Sequence, residues 1–361
     1  MRGTNQTQDE LFCTVSIESL IPADHPLRRI RRQADAALKR MESQFEKMYA
    51  KMGRPGVAPE RLLRALLLQV LYGFQSERRL MTELQYNFAF RWFVGLTMGE
   101  ELWDVTVFTK NRGRFLTSDV AQEWLKSIVL EAREQNLLDE EHFSVDGTLI
   151  QAWASERSYQ PKQNPPQPGQ GTGRRGKLLK RDLYESGTDP DARIFRKSFL
   201  QPWMLGYIGN LVSENRNGLI VASEVDLASK TSERTSALKL LARVRRLLRR
   251  RGRNKAMTVG ADKAYHEWDF VNGVRDMQIE PHIGAYRCER VDMVGPDVRQ
   301  TTAYQDSLRK RKWIERCFSW LKDEGRQRRT RFRGLRRVDW SFTFAAGVYN
   351  LLRMTRLSTS Q

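Results

Sequence analysis

The stretch His142-Phe143-Ser144-Val145-Asp146-Gly147-Thr148-Leu149-Ile150-Gln151-Ala152-Trp153 governs how the rest of the chain is read. β-Branched and aromatic residues alternate along it, the period-two pattern of a strand. That pattern puts Asp146 in mid-strand, on the opposite face from Val145. Upstream the texture differs. From Pro59 onward, Leu62, Leu63, Leu66, Leu67, Val70 and Leu71 recur at three- and four-residue steps, which predicts an amphipathic helix whose apolar stripe is core. More helix is expected over residues 80–93 and 120–134. Arg78, Arg79 and Arg91 fall off the stripe, where they are expected either to meet phosphates or to keep the surface solvated.

Downstream, Pro, Gly and Gln fill 11 of the 16 positions 158–173. Such a composition cannot pack a core, so an exposed loop is expected within 156–200. Behind it lies a basic cluster of Arg174, Arg175, Lys177, Lys180 and Arg181. Strands are expected at 205–213 and 219–227, joined through Asn217-Gly218, a favoured hairpin turn. A helix capped by Ser232 or Thr231 follows, with Leu238, Leu241, Val244 and Leu248 on its apolar side. Short strands at 256–262 and 281–286 and helices at 307–325 and 341–355 complete the chain. This order matches a ribonuclease-H-like core. The expected fold is therefore α/β: a mixed sheet with helices over 139–361, preceded by an all-α domain over 1–138.

Composition narrows the function. The 361 residues hold 62 Lys+Arg against 43 Asp+Glu, a formal charge of +19. With 40% hydrophobic residues and nine Trp, the chain is not a disordered polycation, and its excess charge calls for a polyanion, nucleic acid first. Cys13, Cys288 and Cys317 are odd in number and far apart, which excludes a disulfide framework and a paired zinc spacing. The first residues lack the apolar run of a signal peptide. The densest apolar segment, 62–74, is interrupted by Arg64 and Gln69 and is too short for a bilayer. A soluble, cytoplasmic protein with no membrane partner is expected. No Gly-rich phosphate loop is present. The four histidines form no rival site, and His266 is expected to be structural or at the surface.

Three acids fall where a ribonuclease-H-like core would gather them: Asp146 on the first strand, Asp262 at the end of the fourth, and Glu315 on the following helix. They are 116 and 53 residues apart. A few carboxylates suffice for Mg²⁺, which prefers oxygen and keeps several waters; two such ions can drive phosphoryl transfer. At about 100° per residue, Arg311 and Lys322 lie roughly 40° and 20° from Glu315 around a helix. One acid between two bases suits a metal ligand with phosphate clamps, and the alternative is an intrahelical Arg311–Glu315 salt bridge. Two basic runs remain. Arg243, Arg245, Arg246, Arg249, Arg250, Arg251, Arg253 and Lys255 form either a solvated helix face or a DNA contact. Arg326, Arg328, Arg329, Arg331, Arg333, Arg336 and Arg337 follow the Glu315 helix, and DNA contact is expected there.

The spacing Arg311, three residues, Glu315, six residues, Lys322 resembles the last motif of bacterial insertion-sequence transposases with an Asp-Asp-Glu triad, of the insertion-sequence-five type. The family pattern has Tyr where this chain has Leu308; Tyr304 lies one helical turn earlier. Ser144-Val145-Asp146-Gly147-Thr148 resembles the family's first-Asp motif, and Gly260-Ala261-Asp262-Lys263-Ala264-Tyr265 its second. The segments 63–73, 76–79, 91–96 and 109–112 resemble its N-terminal helical domain, and Glu214-Asn215-Arg216-Asn217-Gly218 its hairpin. The resemblance implies that Asp146, Asp262 and Glu315 bind two Mg²⁺ ions, with Mn²⁺ able to substitute. It implies hydrolysis of a phosphodiester at each element end, then attack of the freed 3′-OH on target DNA. The implied partners are double-stranded DNA (terminal inverted repeats and target) and a second copy of the chain in a synaptic homodimer, with a bacterial, nucleoid-associated location. DNA contacts are expected from Arg311, Lys322, Arg326, Arg328, Arg329, Arg331 and Arg333, with Arg78, Arg79 and Arg112 as looser candidates in the N-terminal domain. A metal-dependent nuclease without joining and a non-catalytic DNA-binding protein are the alternatives.

Overall fold

The computed structural model describes residues 15–358 except 51, 53–55, 168, 172–176, 179, 197–201, 249–255 and 285–291. Cys13, Cys288, Arg174, Arg175, Tyr286 and the Arg249–Lys255 end of the first basic run lie outside the described residues.

Helices α1 (Pro26–Arg40), α2 (Glu42–Met48), α3 (Pro59–Leu71), α4 (Glu77–Tyr86), α5 (Phe88–Val94), α6 (Thr106–Thr117) and α7 (Val120–Glu134) come first. In α3 the stripe of Leu62, Leu63, Leu67 and Leu68 is buried, as its periodicity requires. The helix expected over 80–93 is two helices, broken at Asn87. That residue adopts an extended conformation and its side chain accepts from the Phe90 N–H, so it caps α5 where a continuous helix would have run through.

The sheet follows: β1 (His142–Gln151), β2 (Tyr159–Pro161), β3 (Tyr184–Ser186) after the short α8 (Lys180–Leu183), β4 (Arg193–Phe195), β5 (Met204–Glu214) and β6 (Ile220–Leu227). Helix α9 (Ser232–Leu248), β7 (Met257–Ala261), α10 (Trp268–Asp276) and β8 (Ile279–Ile283) come next. Then come α11 (Pro296–Arg299), α12 (Thr302–Lys310), α13 (Ile314–Lys322) and α14 (Leu335–Leu357). β5 is antiparallel to β1 and β6, while β7 runs parallel to β1 and β8 parallel to β7. The order β6-β5-β1-β7-β8, antiparallel on one side of β1 and parallel on the other, is the ribonuclease-H-like arrangement.

Alternation along β1 sorts the layers. A side chain at Gly147 would meet α9, whereas Ser144 faces α12 and the turn that follows it. Helices α9 and α10 thus cover one face, and α12 and α13 the other. The β5–β6 hairpin is organised by Glu214, buried and accepting the N–H groups of Arg216, Asn217 and Leu219 (2.9, 2.7 and 2.9 Å). Gly218 there takes φ +71, a left-handed conformation that glycine adopts without strain.

The far edge of β6 is covered by side chains. Asn350 of α14 accepts from the Ile220 N–H (2.8 Å) and donates to its carbonyl (2.7 Å). Asp339 accepts from the Val225 N–H (2.7 Å), and Gln122 of α7 donates to the Ser223 carbonyl (3.1 Å). Such cover removes an open strand edge that would otherwise template aggregation. Because α14 packs on α7 and α1 as well as on β6, one continuous apolar core spans both the early helices and the sheet.

Residues 156–200 are not simply an exposed loop. β2 and β3 pair with each other, and β4 extends the main sheet alongside β5. Asp182, Ser186, Asp189 and Ala192 are buried. Asp189 accepts from the Tyr207 hydroxyl (2.7 Å) and the Gly334 N–H (3.1 Å), and Asp191 from the Leu335 N–H (2.9 Å). The segment supplies the acids that cap α14, a long-range use that its composition does not disclose. No helix among the described residues is long and apolar enough to cross a membrane.

Candidate active site

β1 and β7 pair in the register His142↔Thr258, Phe143↔Val259, Ser144↔Gly260. The offset equals the separation of Asp146 from Asp262, so the two acids hold equivalent positions along β1 and the end of β7. Both fall just past the last paired residues. Asp146 is half-buried, and its Oδ1 accepts from the Gly147 N–H (2.8 Å). Asp262 leaves the strand to cap a short 3₁₀ turn, with its Oδ1 accepting from the Lys263 N–H (2.7 Å).

Over this pair lies the junction of α12 and α13. A methyl group at Gly260 would stand 3.2 Å from Ser307 Oγ, 3.3 Å from Arg311 Cβ and 3.4 Å from Ser144 Oγ. A side chain at position 260 would therefore need these neighbours to give by a few tenths of an ångström. The helix expected over 307–325 is interrupted: residues Arg311–Trp313 form a 3₁₀ turn between α12 and α13. Arg311 and Glu315 accordingly do not share one regular α-helical face, and the i,i+4 alternative is not what forms. Arg311 reaches across the layers to Asp262 (Nη2 to Oδ1, 3.4 Å). Glu315 occupies the first turn of α13 and is exposed; Lys322 ends that helix, half-buried.

The structure thus joins Asp262 to Arg311, with Asp146 at the equivalent position of the neighbouring strand, and carries Glu315 one turn beyond Arg311. Among the described residues, no group of three or more His, Cys, Asp or Glu side chains is arranged to hold a metal. The donor chemistry of the sheet pair nonetheless suits a hard divalent cation, which takes carboxylate oxygens. A further polar group borders it. The Tyr265 side chain is buried, and its hydroxyl has no hydrogen-bond partner. Burial pushes its pKa well above the ordinary phenol range, and the charges of Glu233, Asp146 and Asp262 add to the shift. Tyr304, one turn before the position of the family tyrosine, is buried away from the acids: its hydroxyl donates to the Ile283 carbonyl (2.8 Å) and accepts from Arg299 (2.9 Å). His266 is likewise internal, 3.7 Å from Asp292.

The second basic run lies across the end of the same strand. The Gln151 N–H donates to the Arg328 carbonyl (3.0 Å) and the Thr330 N–H to the Gln151 carbonyl (2.8 Å). Residues 326–333 are thereby fixed about five residues, or ~17 Å, along β1 from Asp146. Arg326, Arg328, Arg329, Arg331 and Arg333 are exposed. Arg328 pairs with Asp323 (2.5 Å). Arg329 donates to the Trp153 carbonyl (3.1 Å) and lies 5.7 Å from the ring of Trp153, which is itself 48% exposed rather than core. Arg331 and Arg336 donate to the carbonyls of Gln75 and Leu116 (3.0 and 2.9 Å), tying the run to the early helices.

In the described part of the first run, Arg243 pairs with Glu224 (3.2 Å) and Arg245 with the Gln278 side chain (2.6 Å). Of the early candidates, Arg91 is buried and donates to the Thr97 and Glu100 carbonyls. It was expected off the stripe, and it serves the fold instead. Arg79 pairs with Glu83 (2.5 Å) and Arg112 with Glu77 (2.6 Å).

Residues 15–114 match the family described as transposase domain (DUF772), and residues 201–351 match the family described as transposase DDE domain. Two separate segments of the chain are thus each similar to a transposase family, the DDE match lying behind the other. Asp262 and Glu315 fall inside the second match, whereas Asp146 falls in neither. No curated protein matches the sequence. Among solved structures, the chain is similar to the cryo-EM structure of the piggyBac transposase synaptic complex with hairpin DNA. There the identity is 9%, with 93% of this chain and 76% of that one covered and a TM-score of 0.44. It is also similar to the crystal structure of the Mos1 mariner paired-end complex with Mn (13% identity, 88% and 86% covered, TM-score 0.23).

Proposed function

We propose that this chain is an insertion-sequence DNA transposase that cleaves phosphodiesters at the ends of its element and joins the 3′-OH ends to target DNA. The observation that carries the reading is the equivalent position of Asp146 and Asp262 at the end of the β1–β7 pairing, with a run of exposed arginines hydrogen-bonded through its backbone to the end of β1. In this reading Asp146, Asp262 and Glu315 hold Mg²⁺, in two positions, and Mn²⁺ substitutes. When bound, the divalent cation supplies Lewis-acid polarisation of the scissile phosphate and a stronger oxygen nucleophile.

The protein's own groups do the rest. In this reading β1 and the end of β7 supply Asp146 and Asp262, and α13 supplies Glu315. Arg311 and Lys322 neutralise phosphate on either side, with Arg311 exchanging its bond to Asp262 for one to DNA. Arg326, Arg328, Arg329, Arg331 and Arg333 grip the backbone further along the duplex. Joining exchanges one phosphodiester for another, so no nucleotide cofactor is required. Residues 1–138 are assigned to end recognition and pairing of two copies, and 139–361 to catalysis.

The test uses end DNA and the full chain. Asp146→Asn, Asp262→Asn and Glu315→Gln should each abolish Mg²⁺-dependent cleavage while sparing DNA binding. Full cleavage by any one of them removes that residue from the site. Pre-cut ends should yield joined product with the wild-type chain; cleavage without any joining would make it a nuclease.

A further inference from the structure

Gln69 stands among Leu67, Leu68 and Val70 on the apolar side of α3 and is only 2% exposed. A polar side chain in that place is ordinarily paired, yet its Nε2 has no hydrogen-bond partner. Trp340 of α14 holds a second such donor, since its buried Nε1 is also without a partner. Its ring is fixed by parallel stacking on Phe344 (5.0 Å between centroids). A buried donor left unpaired works against folding, so two of them need another reason to persist. Both residues line the same cavity, about 520 Å³ in volume, where α3 meets α14 and the segment that follows α13.

The rest of the lining is of two kinds. Phe74, Phe344 and Trp153 give aromatic walls, and Trp153, two residues past the end of β1, is half exposed. Arg326, Arg329 and Arg331, all exposed, stand at the opening, and Glu324 is the one acid among the described lining residues. A methyl group at Gly73 would lie 2.8 Å from Arg326 Nε, so this guanidinium rests against the turn that ends α3. Arg329 lies 5.7 Å from the Trp153 ring.

This lining selects its ligand. Aromatic walls call for a planar group, the two N–H donors for acceptors on its edge, and the arginines for a flanking anion. A nucleobase within a strand of DNA has all three features, and the cavity is of the size that small molecules occupy. A base inside a duplex has its faces stacked and its pairing edge used, so only an unpaired one can enter.

We propose that this cavity takes a single unpaired base of bound DNA, stacked on its aromatic wall, with Gln69 and Trp340 donating to the base and the arginines holding the phosphates beside it. The inference rests on the reading of the chain as a DNA-processing protein.

The test compares two forked DNAs with the full-length chain by fluorescence anisotropy. One has a five-nucleotide thymidine tail; in the other the tail is abasic, with the same phosphates. The wild type should prefer the thymidine fork by about tenfold or more. Trp153→Ala and Gln69→Leu should each cut the preference to within about threefold, and Trp153→Phe should keep most of it. Arg333→Ala, outside the cavity, should weaken binding to both forks and leave their ratio unchanged. If Gln69→Leu does not fold, Trp153→Ala still decides, because its ring is half exposed. Equal wild-type affinity for the two forks overturns the proposal. So does an undiminished preference in folded Trp153→Ala and Gln69→Leu chains, which would leave the cavity to water. If the chain cleaves and joins end DNA without any base preference, only the pocket falls. If the preference holds and the variants abolish it, but end DNA is neither cut nor joined, the pocket stands and the transposase reading falls.

Discussion

The two sides of the site are built differently. Asp146 lies within β1 and Asp262 directly after β7, and the β1–β7 register gives them equivalent positions just past the last paired residues. Glu315 and Arg311 ride on a helical layer that changes from α to 3₁₀ and back within three residues and meets the sheet through the contact at Gly260. Sheet register is a discrete quantity, since a one-residue slip would turn every side chain to the other face. A helix junction can shift by fractions of an ångström without losing its bonds. On the proposed reading, the sheet sets the positions of the two Asp and the helical layer is the part free to adjust to DNA.

The largest effects should separate these halves. Asp146→Asn and Asp262→Asn are expected to lose cleavage by on the order of 10³-fold, together with Mn²⁺ binding by the free protein. Glu315→Gln should lose as much cleavage and retain more of the Mn²⁺ binding, because the sheet pair is in place without it. Equal loss of ion binding in all three, read by titration calorimetry, would mean that both halves are preformed. A smaller effect is expected at the contact between the layers. Gly260→Ala places a methyl group against three neighbours at 3.2–3.4 Å and should cost about 1–3 kcal/mol, measured by urea denaturation. It should also lower cleavage by lifting Arg311 and Glu315 from the strands, and a variant with wild-type stability would show that the layers are not tightly seated. Smaller still, Arg311→Ala should reduce the salt dependence of end binding by roughly one phosphate contact. Replacing Arg329, Arg331 and Arg333 together should reduce it by roughly three. An unchanged slope of log affinity against log salt would remove those residues from the interface.

Much of the sheet was legible because its signals are local. The alternation in 142–153, the Asn217-Gly218 turn and the run of β-branched residues on either side each mark a strand without reference to anything distant. The equivalent placement of two acids could be anticipated from a strand order, though not the register that produces it. Other features depend on partners remote in sequence. Helix α10 contains Asn272 and Gly273, poor helix formers, and is held by packing on α9; Gly273 lies against Leu238. The strand expected at 281–286 is found at Ile279–Ile283, its start set by pairing with Met257. Arg91 reads as a surface base until the Thr97 and Glu100 carbonyls that bind it are known. Asp189 and Asp191 sit behind a Pro-, Gly- and Gln-rich stretch and give no hint that a helix 144 residues later begins on them.

The last helix has a consequence for the element's inheritance. Asn350, Thr343 and Asp339 close the outer edge of β6 from α14, and the same helix fills the gap between the sheet and α7. A reading frame cut short anywhere before residue 335 would leave that edge and the apolar surfaces of β6 and α7 bare. Decayed copies of the gene should then yield insoluble fragments rather than half-working proteins that compete with the intact one for DNA ends.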